Sequence, residues 1–348
     1  MVAYMPILKG RTAEFRALCH AASPVTAVVM PLLEVIPDER ATLHGSVMNF
    51  GDRLMDAAPK DMVFAVDCRY LDRQGGRGSG SLSLVARDVH DRGIVMVPVF
   101  SLARDQDFAS IRRATHLHDA GGCLRLDGER AVRYVTDRGE GRASEVLQAA
   151  GLRAAQVDLV IDMGEVSTEA AMRRAAGAAH AGVEWARRGA WRSVTLASGA
   201  FPESISGLPV RESTPVPRWD AVLWAEAAAG PGGRTDTGYG DYAVSCPRLS
   251  RGFSPLPNLR YTGKRHWHVY RYPTDPTGGM STFHDLCRDV VSSAHWPDQG
   301  SSFSWGDEQI ELRARTRNMP GNAAKWRAFG TSHHLAVVAS RLAELGEP

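Results

Sequence analysis

Charged and hydroxyl side chains recur where short apolar segments of this sequence end. Carboxylates at such positions could bind a metal ion or transfer protons, and basic side chains could bind an anion. The predicted catalytic residues are Lys9, Glu34, Asp67, Asp127 and Asp162. The predicted ligand-binding residues are Arg69, Arg125, Ser198 and His333. Buried ions are costly unless well paired, so this density of charge predicts a functional site.

Metal-dependent hydrolysis or phosphoryl chemistry is the first function that these residues suggest. Glu34, Asp67 and Asp162 are the predicted metal ligands, because Mg²⁺ and Mn²⁺ accept carboxylate oxygens. The basic residues of the set would bind the anionic group of the ligand. None of the strands predicted below ends at a histidine, which disfavours a zinc site. Pairing of Lys9 with Glu34 on adjacent strands is the purely structural alternative.

Two other enzymatic functions can be judged from the residues at the predicted strand ends. Lys9 ends the first predicted strand and Ser198-Gly199 ends the seventh, a layout that resembles barrel enzymes using pyridoxal phosphate on a lysine. Glycoside hydrolysis needs two carboxylates, but the fourth and seventh strands end at Ser101 and Ser198. We therefore expect a small anionic ligand, with a Schiff-base enzyme that uses Lys9 as an alternative.

The elements that must position these residues follow a β/α repeat. Strands are expected at about 4–9, 27–35, 62–67, 94–100, 122–127, 157–162, 191–198 and 239–245, with helix-like stretches between most of them. This pattern predicts a TIM-like (β/α)8 barrel, whose functional residues lie at the C-terminal ends of the strands. A doubly wound sheet is the alternative, but Lys9-Gly10-Arg11 is not the Gly-rich turn that it usually carries.

The C-terminal part of the chain departs from this repeat. Segments 259–261 and 267–272 predict a β-hairpin, and three helices are expected near 280–295, 306–315 and 323–345, the last with a break at 329–331. A helix beginning after that break would suit a phosphate, which is why His333 is included in the site. We expect residues 1–250 to form the barrel and residues 251–348 to form a hairpin-plus-helices elaboration packed on it.

Two features allow opposite interpretations, and two further segments are predicted as loops. The aromatic and basic hairpin 260–271 could stack on nucleic-acid bases, or it could pack on the edge of the barrel. Asp241 could face the site, or it could lie on the opposite, structural side of its strand. Residues 73–81 are predicted as a flexible loop in the place of a lid, and residues 199–217 as a long loop. A non-catalytic module that binds nucleic acid or a partner protein is therefore the alternative from another functional class.

Composition excludes several classes of protein. The chain has 348 residues, 44% of them hydrophobic, and a net charge of +2, so no global field favours nucleic acid or a membrane surface. No apolar run approaches the roughly 20 residues that span a bilayer. The five cysteines form no Cys-x-x-Cys pair, which is typical of reduced thiols. We expect a cytoplasmic protein without membrane contact.

Several short motifs, taken together, resemble the "beta protein" family of bacteria and phages. They are Tyr4-x-Pro6-Ile-Leu-Lys9-Gly10, Pro31-Leu-Leu-Glu34, Val66-Asp67-x-Arg69, Asp158-Leu-Val-Ile-Asp162-x-Gly164, Ser198-Gly-Ala-Phe201-Pro202, Tyr239-Gly-Asp241-Tyr242 and Trp326-Arg327-x-x-Gly330-Thr331-Ser-His333-His334. The resemblance spans nearly the whole chain. It implies a lineage and a setting in conflict between bacteria and phages, and it assigns no catalytic residue.

Overall fold

Eight parallel strands form a closed barrel, which confirms the predicted TIM-like architecture. The computed structural model describes residues 3–57, 59, 62–75, 80–103, 105–138, 141–229, 236–249, 256–317 and 319–348. The strands are β1 (Tyr4–Leu8), β2 (Leu32–Glu34), β3 (Phe64–Asp67), β4 (Met96–Phe100), β5 (Gly122–Asp127), β6 (Val157–Glu165), β7 (Ser193–Gly199), β8 (Ser213–Pro217), β9 (Gly238–Asp241), β10 (Asn258–Thr262) and β11 (His266–Arg271). The barrel runs from β1 to β7 in chain order and closes through β9, while β10, β11 and β8 form a separate antiparallel sheet.

Helices connect the barrel strands and build most of the C-terminal part. Their bounds are α1 (Thr12–Cys19), α2 (Ser23–Thr26), α3 (Leu43–Ala57), α4 (Arg69–Gly75), α5 (Ser81–Asp91), α6 (Phe108–His118), α7 (Glu129–Arg138), α8 (Gly141–Ala150), α9 (Glu169–Arg187), α10 (Trp219–Ala228), α11 (Phe283–Val291), α12 (Trp305–Arg315) and α13 (Ala323–Leu345), with short 3₁₀ turns at Ala154–Gln156 and Gly300–Ser302. Within the described residues, no helix combines the length and apolar composition needed to cross a membrane.

The barrel strands are apolar on both faces because both faces are buried. On β6, Leu159 and Ile161 pack outward against the helices, and Val160 packs inside the barrel with Met5 and Val97. Side chains alternate along a strand, so an unbroken apolar run fills both layers at once. The inner layer ends near the C-terminal end of the barrel, called the mouth below, and polar side chains replace it there.

The C-terminal part confirms the hairpin and corrects two sequence-based expectations. β10 and β11 pair antiparallel as predicted, but β8 lies in a segment expected to be a loop. β8 carries Pro215 and Pro217, and an edge strand tolerates proline because one of its sides makes no ladder bonds. The expected break in α13 is also wrong, since the helix is continuous. Gly330 instead allows close approach, because a Cβ added there would lie 2.6 Å from the backbone oxygen of Arg260.

Two predicted features fall partly on residues outside the description. The segment 73–81, predicted as a flexible loop, begins inside α4, and positions 76–79 lie outside the described residues. The boundary expected between residues 250 and 251 also lies outside them. The division into residues 1–250 and 251–348 therefore stays a prediction. The pairing of β8 with β11 adds that the strand before α10 belongs to the C-terminal sheet.

The contact between α12 and α13 depends on a glycine, which gives a stability prediction. A Cβ at Gly306 would lie 2.2 Å from the backbone oxygen of Phe329. We expect Gly306→Ala to lower the free energy of unfolding by about 1–3 kcal/mol, because one of the two helices must shift. Gly177→Ala in α9 is the matched control: its Cβ would meet nothing within 4 Å, so it should stabilise by up to about 1 kcal/mol. Urea unfolding of both variants tests this, and equal stabilities would contradict it.

Candidate functional site

The mouth of the barrel holds a cluster of charged side chains that enter it from five strands. Lys9, Glu34, Asp67, Arg125 and Asp162 are all buried there. Each of them follows by two positions an apolar residue of the inner layer: Ile7, Leu32, Ala65, Cys123 and Val160. Because side chains alternate along a strand, this spacing directs all five polar groups to the inside.

Arg125 lies at the centre of this cluster, with a side chain only 1% exposed. Its Nη1 donates to Glu34 Oε1 and to Asp67 Oδ2, both at 2.8 Å. Its Nε and Nη2 donate to Asp162 Oδ2 at 3.0 and 2.6 Å. Nη2 also donates to the Tyr242 hydroxyl at 2.7 Å, and that hydroxyl donates to Asp162 Oδ2 at 2.6 Å. One guanidinium thus joins three strands and the segment that follows β9.

The ion pairs continue on both sides of Arg125. Lys9 Nζ lies 2.5 Å from Glu34 Oε2 and donates to the Pro247 carbonyl. Arg69 binds Asp67 through Nε at 2.8 Å and Asp127 through Nη1 at 2.8 Å. We call the series Lys9, Glu34, Arg125, Asp67, Arg69 and Asp127, with Asp162 bound to Arg125, the ion-pair chain. Asp127 is its exposed end, with a side chain 56% accessible.

Within the ion-pair chain, neighbouring charges favour the ionised state of each group whose pKa is shifted. Burial alone would raise the pKa of Asp162, but the Arg125 guanidinium and the Tyr242 hydroxyl hold that pKa below its usual value. Burial acts on Asp67 in the same direction, and Arg69 and Arg125 outweigh it. Burial opposes the charge of Arg125, yet Tyr242 and the surrounding carboxylates raise the pKa of that side chain. Asp162, Asp67 and Arg125 are therefore all held in their charged forms.

The geometry does not support metal ligation by Glu34, Asp67 and Asp162. Their oxygens converge on the Arg125 guanidinium, which takes the central position that a cation would need. Across the part of the chain that is described, no group of three or more His, Cys, Asp or Glu side chains is placed to hold a metal ion. The sequence grouped these carboxylates correctly, but it did not reveal that an arginine on β5 would neutralise them.

Two predicted ligand-binding residues lie away from the cluster. His333 is buried within α13, where Nδ1 lies 2.9 Å from Asp307 Oδ2 and Nε2 lies 2.9 Å from the backbone oxygen of Thr262. It joins α12 and α13 to the hairpin, and its ligand-binding role stays a prediction. Ser198 is buried at the end of β7 and alternates with Ala197 of the inner layer, which directs it outward.

A large cavity of about 620 Å³ opens at the mouth beside β3, β4 and β5. Five aspartates line it, together with Arg69 and Arg125: Asp67, Asp72, Asp105, Asp107 and Asp127. Hydroxyl and amide groups of Ser101, Gln106 and Ser110 complete its polar surface. Its volume falls in the range of small-molecule binding sites.

A second, smaller cavity is lined by Lys9 and has a volume of about 40 Å³. We call it the basic pocket; its charged residues are Lys9, Arg11, Arg248, Arg260, Arg327 and Glu203. The segments after β1, β7 and β9 form it, together with β10 and α13. Sequence reasoning missed Arg11, Arg248, Arg260 and Arg327 as a group. Only Arg11 carried a local signal, because it follows Lys9 by two residues.

Arg260 is a half-buried cation of the basic pocket. It donates to the Val244 carbonyl, and its guanidinium carbon lies 4.2 Å from the centre of the Phe201 ring. Burial and the neighbouring Arg327 lower the pKa of Arg260 well below its usual range. Burial likewise lowers the pKa of Arg327; Glu14 opposes that effect and Arg11 adds to it. Among the described residues, neither Arg260 nor Arg327 forms an ion pair with a carboxylate.

The aromatic hairpin is packed against the rest of the protein, as the structural interpretation of residues 260–271 predicts. Trp267 is 1% exposed and contacts the Phe201 ring edge-on at 5.3 Å between centroids. Tyr261 is buried and stacks on His333 at 3.8 Å. These two rings cannot stack on a nucleic-acid base without unfolding of the sheet, which weakens the nucleic-acid alternative.

Asp241 lies on the structural side of β9, behind the mouth. It accepts hydrogen bonds from the Tyr4 hydroxyl at 2.9 Å, from the Ala243 amide at 2.9 Å and from His334 Nε2 at 2.8 Å. His334 also contacts Thr262 Oγ1 through Nδ1 at 3.0 Å. The contact between His334 and Asp241 connects α13 to β9. Tyr242, the residue that follows β9, donates a hydrogen bond to Asp162 of the ion-pair chain.

Comparisons with known proteins give one family and several distant structural likenesses, of which two are described. The family described as Beta protein matches residues 4–340. A dihydropyrimidinase from Brevibacillus agri is 16% identical with a TM-score of 0.31, over 72% of this chain and 59% of that one. A D-hydantoinase from a Bacillus species is 15% identical with a TM-score of 0.29, over 72% and 60%. The chain thus spans about three fifths of each, and likenesses this remote carry no functional argument. No curated protein matches.

Proposed function

The chain belongs to the Beta protein family, and for this member we propose that the mouth of the barrel binds a small phosphorylated or otherwise anionic ligand. The observation that carries the proposal is the basic pocket, where Arg260 and Arg327 lie beside Lys9, Arg11 and Arg248. Guanidinium groups bind oxyanions through short, charge-assisted hydrogen bonds, often in pairs.

The charge balance of the basic pocket supports an anion there. Lys9 and Arg248 have carboxylate partners in Glu34 and Glu165, at 2.5 and 2.7 Å. Arg260 and Arg327 lack a carboxylate partner among the described residues, and burial lowers the pKa of each. Crowded, partly buried cations repel one another, and an oxyanion between them would relieve that repulsion.

The position of the basic pocket in the barrel agrees with this proposal. The segments after the seventh and eighth barrel strands, β7 and β9, supply Glu203 and Arg248. Phosphate sites in TIM barrels frequently form at these two loops. The predicted anion-binding role of Lys9 fits this location, whereas Arg69 and Arg125 bind carboxylates of the ion-pair chain instead.

Binding, without catalysis, is the function that these contacts support best. The ion-pair chain engages Glu34, Asp67 and Asp162, so a general base or metal ligand would first have to leave Arg125. A Schiff base on Lys9 would likewise require its nitrogen to leave Glu34 and the Pro247 carbonyl. Neither chemistry uses an arrangement already present at the mouth.

Isothermal titration with inorganic phosphate and with a pentose monophosphate tests the proposal. We expect Arg260→Gln and Arg327→Gln each to weaken binding by about tenfold or more, since a charge-assisted hydrogen bond contributes about 1.5–3 kcal/mol. The control is Arg173→Gln, which removes an exposed arginine of α9 and should leave affinity unchanged. Unaltered affinity in both pocket variants, or no binding by the wild type, would overturn the proposal.

The family suggests a biological setting in conflict between bacteria and phages. If the proposed ligand acts there, the Arg260→Gln variant should lose whatever change in phage plating the wild-type protein produces in host cells. Arg173→Gln should keep it. If phages plated equally on cells carrying either variant, the phage role would not depend on the basic pocket.

A further inference from the structure

Among the described residues that line the basic pocket, Glu203 is the one carboxylate. Resting on the proposed function, we infer that this pocket selects a phosphate group that carries a proton, because Glu203 accepts a hydrogen bond from that group. Free hydrogen phosphate and the monoanion of a phosphate monoester both offer such a group. Glu203 then disfavours sulfate and other oxyanions that carry no proton.

The carboxylate of Glu203 is free to meet a ligand. Its side chain is exposed, and within the described ranges it forms no ion pair and no hydrogen bond. Glu165 differs, since its carboxylate oxygens lie 2.7 Å from Arg248 Nε and 2.8 Å from the Ser167 hydroxyl. The basic pocket therefore holds an unpaired acceptor beside cations that also lack a carboxylate partner.

The segment after β7 fixes the position of Glu203 at the basic pocket. Phe201 is buried, and the centre of its ring lies 4.2 Å from the guanidinium carbon of Arg260. Pro202, which also lines the pocket, restricts the backbone between Phe201 and Glu203 because its ring fixes φ. Burial raises the pKa of the Cys246 thiol in the same pocket, and nearby carboxylates, Glu203 among them, add to the rise. The charge of Glu203 thus acts within the pocket.

Size and positive charge alone do not separate phosphate from sulfate. The pocket volume of about 40 Å³ equals roughly three water molecules and suits one tetrahedral oxyanion of either kind. The cationic side chains donate hydrogen bonds to both anions, and the Ser245 hydroxyl can donate or accept. An ionised carboxylate only accepts, and it repels an oxyanion that has no hydrogen to offer. Free phosphate keeps a proton at neutral pH, and a monoester keeps one on a fraction of its molecules, since its second pKa is about 6.

Isothermal titration of the protein with inorganic phosphate, a pentose monophosphate and sulfate tests the inference at neutral pH and constant ionic strength. We expect at least one of the two phosphates to bind about tenfold or more tightly than sulfate, which is the scale of one charge-assisted hydrogen bond. The tighter of the two phosphates identifies the source of the group as free phosphate or as a monoester.

The variant Glu203→Gln separates this inference from the proposed function. Its amide has the same shape and can donate to sulfate, so the preference for phosphate should fall about tenfold. Loss of the charge alone would raise both affinities together, which is why the ratio of the two affinities is the measure. The control is Glu226→Gln, an exposed position of α10 that does not line the pocket, and it should keep the preference.

Two results would overturn the inference and leave the anion pocket standing. One is wild-type binding of sulfate as tight as that of both phosphates, and the other is a preference for phosphate that survives Glu203→Gln. Failure of all three anions to bind would overturn the proposed function itself.

Discussion

Arg125→Gln should lower the free energy of unfolding by about 3–5 kcal/mol, because it leaves the buried carboxylate of Asp162 without a counter-charge. Glu34 would keep Lys9 and Asp67 would keep Arg69. Among the described residues, Asp162 would retain only the Tyr242 hydroxyl and the Gly164 amide as partners of its carboxylate. Urea unfolding followed by circular dichroism measures the loss. Such a loss is a large fraction of the stability of an ordinary domain.

Two further variants show whether geometry or charge dominates at this position. Arg125→Lys keeps the charge, but one ammonium cannot reach all the acceptors that the guanidinium serves, so its loss should be intermediate. Arg173→Gln removes an arginine whose side chain is 74% exposed and whose partner is Glu169 in the same helix. That change should cost less than about 1 kcal/mol. If Arg125→Gln were no more damaging than Arg173→Gln, the ion-pair chain would not stabilise the mouth.

Asp241→Asn should destabilise the protein by about 2–3 kcal/mol at neutral pH, since it removes a buried charge that His334 and the Tyr4 hydroxyl bind. Burial alone would raise the pKa of Asp241, but His334 and Arg218 hold it below its usual value. A depressed pKa means that the ionised carboxylate stabilises the fold above about pH 3.9, and that this contribution is lost as pH falls through the folded-state value.

The difference in stability between wild type and Asp241→Asn should therefore narrow as the pH drops below about 4. Chemical unfolding at a series of pH values measures it. Asp236→Asn is the control, because that side chain is 68% exposed and lies 3.6 Å from Arg187 at the surface. It should change stability by less than about 0.5 kcal/mol. A difference that widens in acid would show that Asp241 is not held ionised by its neighbours.

Local alternation explains how much of the barrel and its mouth could be predicted. Apolar and polar residues two positions apart on one strand share a direction, so Glu34, Asp67, Arg125 and Asp162 could be placed together before any long-range contact was known. The adjacent strands also suggested the pair of Lys9 with Glu34, which the structure contains, but nothing in the sequence indicated that three carboxylates would share Arg125. Whether three carboxylates bind a metal or an arginine depends on distances across the barrel, and the sequence carries no such distances.

The remaining differences come from tertiary contacts. A glycine stands at position 330 inside a continuous helix because the backbone of Arg260 leaves no room for a side chain, whereas in the sequence alone a glycine favours a helix end. β8 is a strand because β11 is present to pair with it, although its prolines favour a loop. Arg260 and Arg327 reach the mouth only through the docking of the hairpin and α13, so the basic pocket had no local signature.

The basic pocket draws its cations from both extremities of the polypeptide. Lys9 and Arg11 follow the first strand, and Arg327 belongs to the last helix. A ligand bound by all three would stabilise the packing of the segment after β1 against α13. Ligand would then slow amide hydrogen exchange in α1 and α13 together, although these helices lie some three hundred positions apart in the sequence.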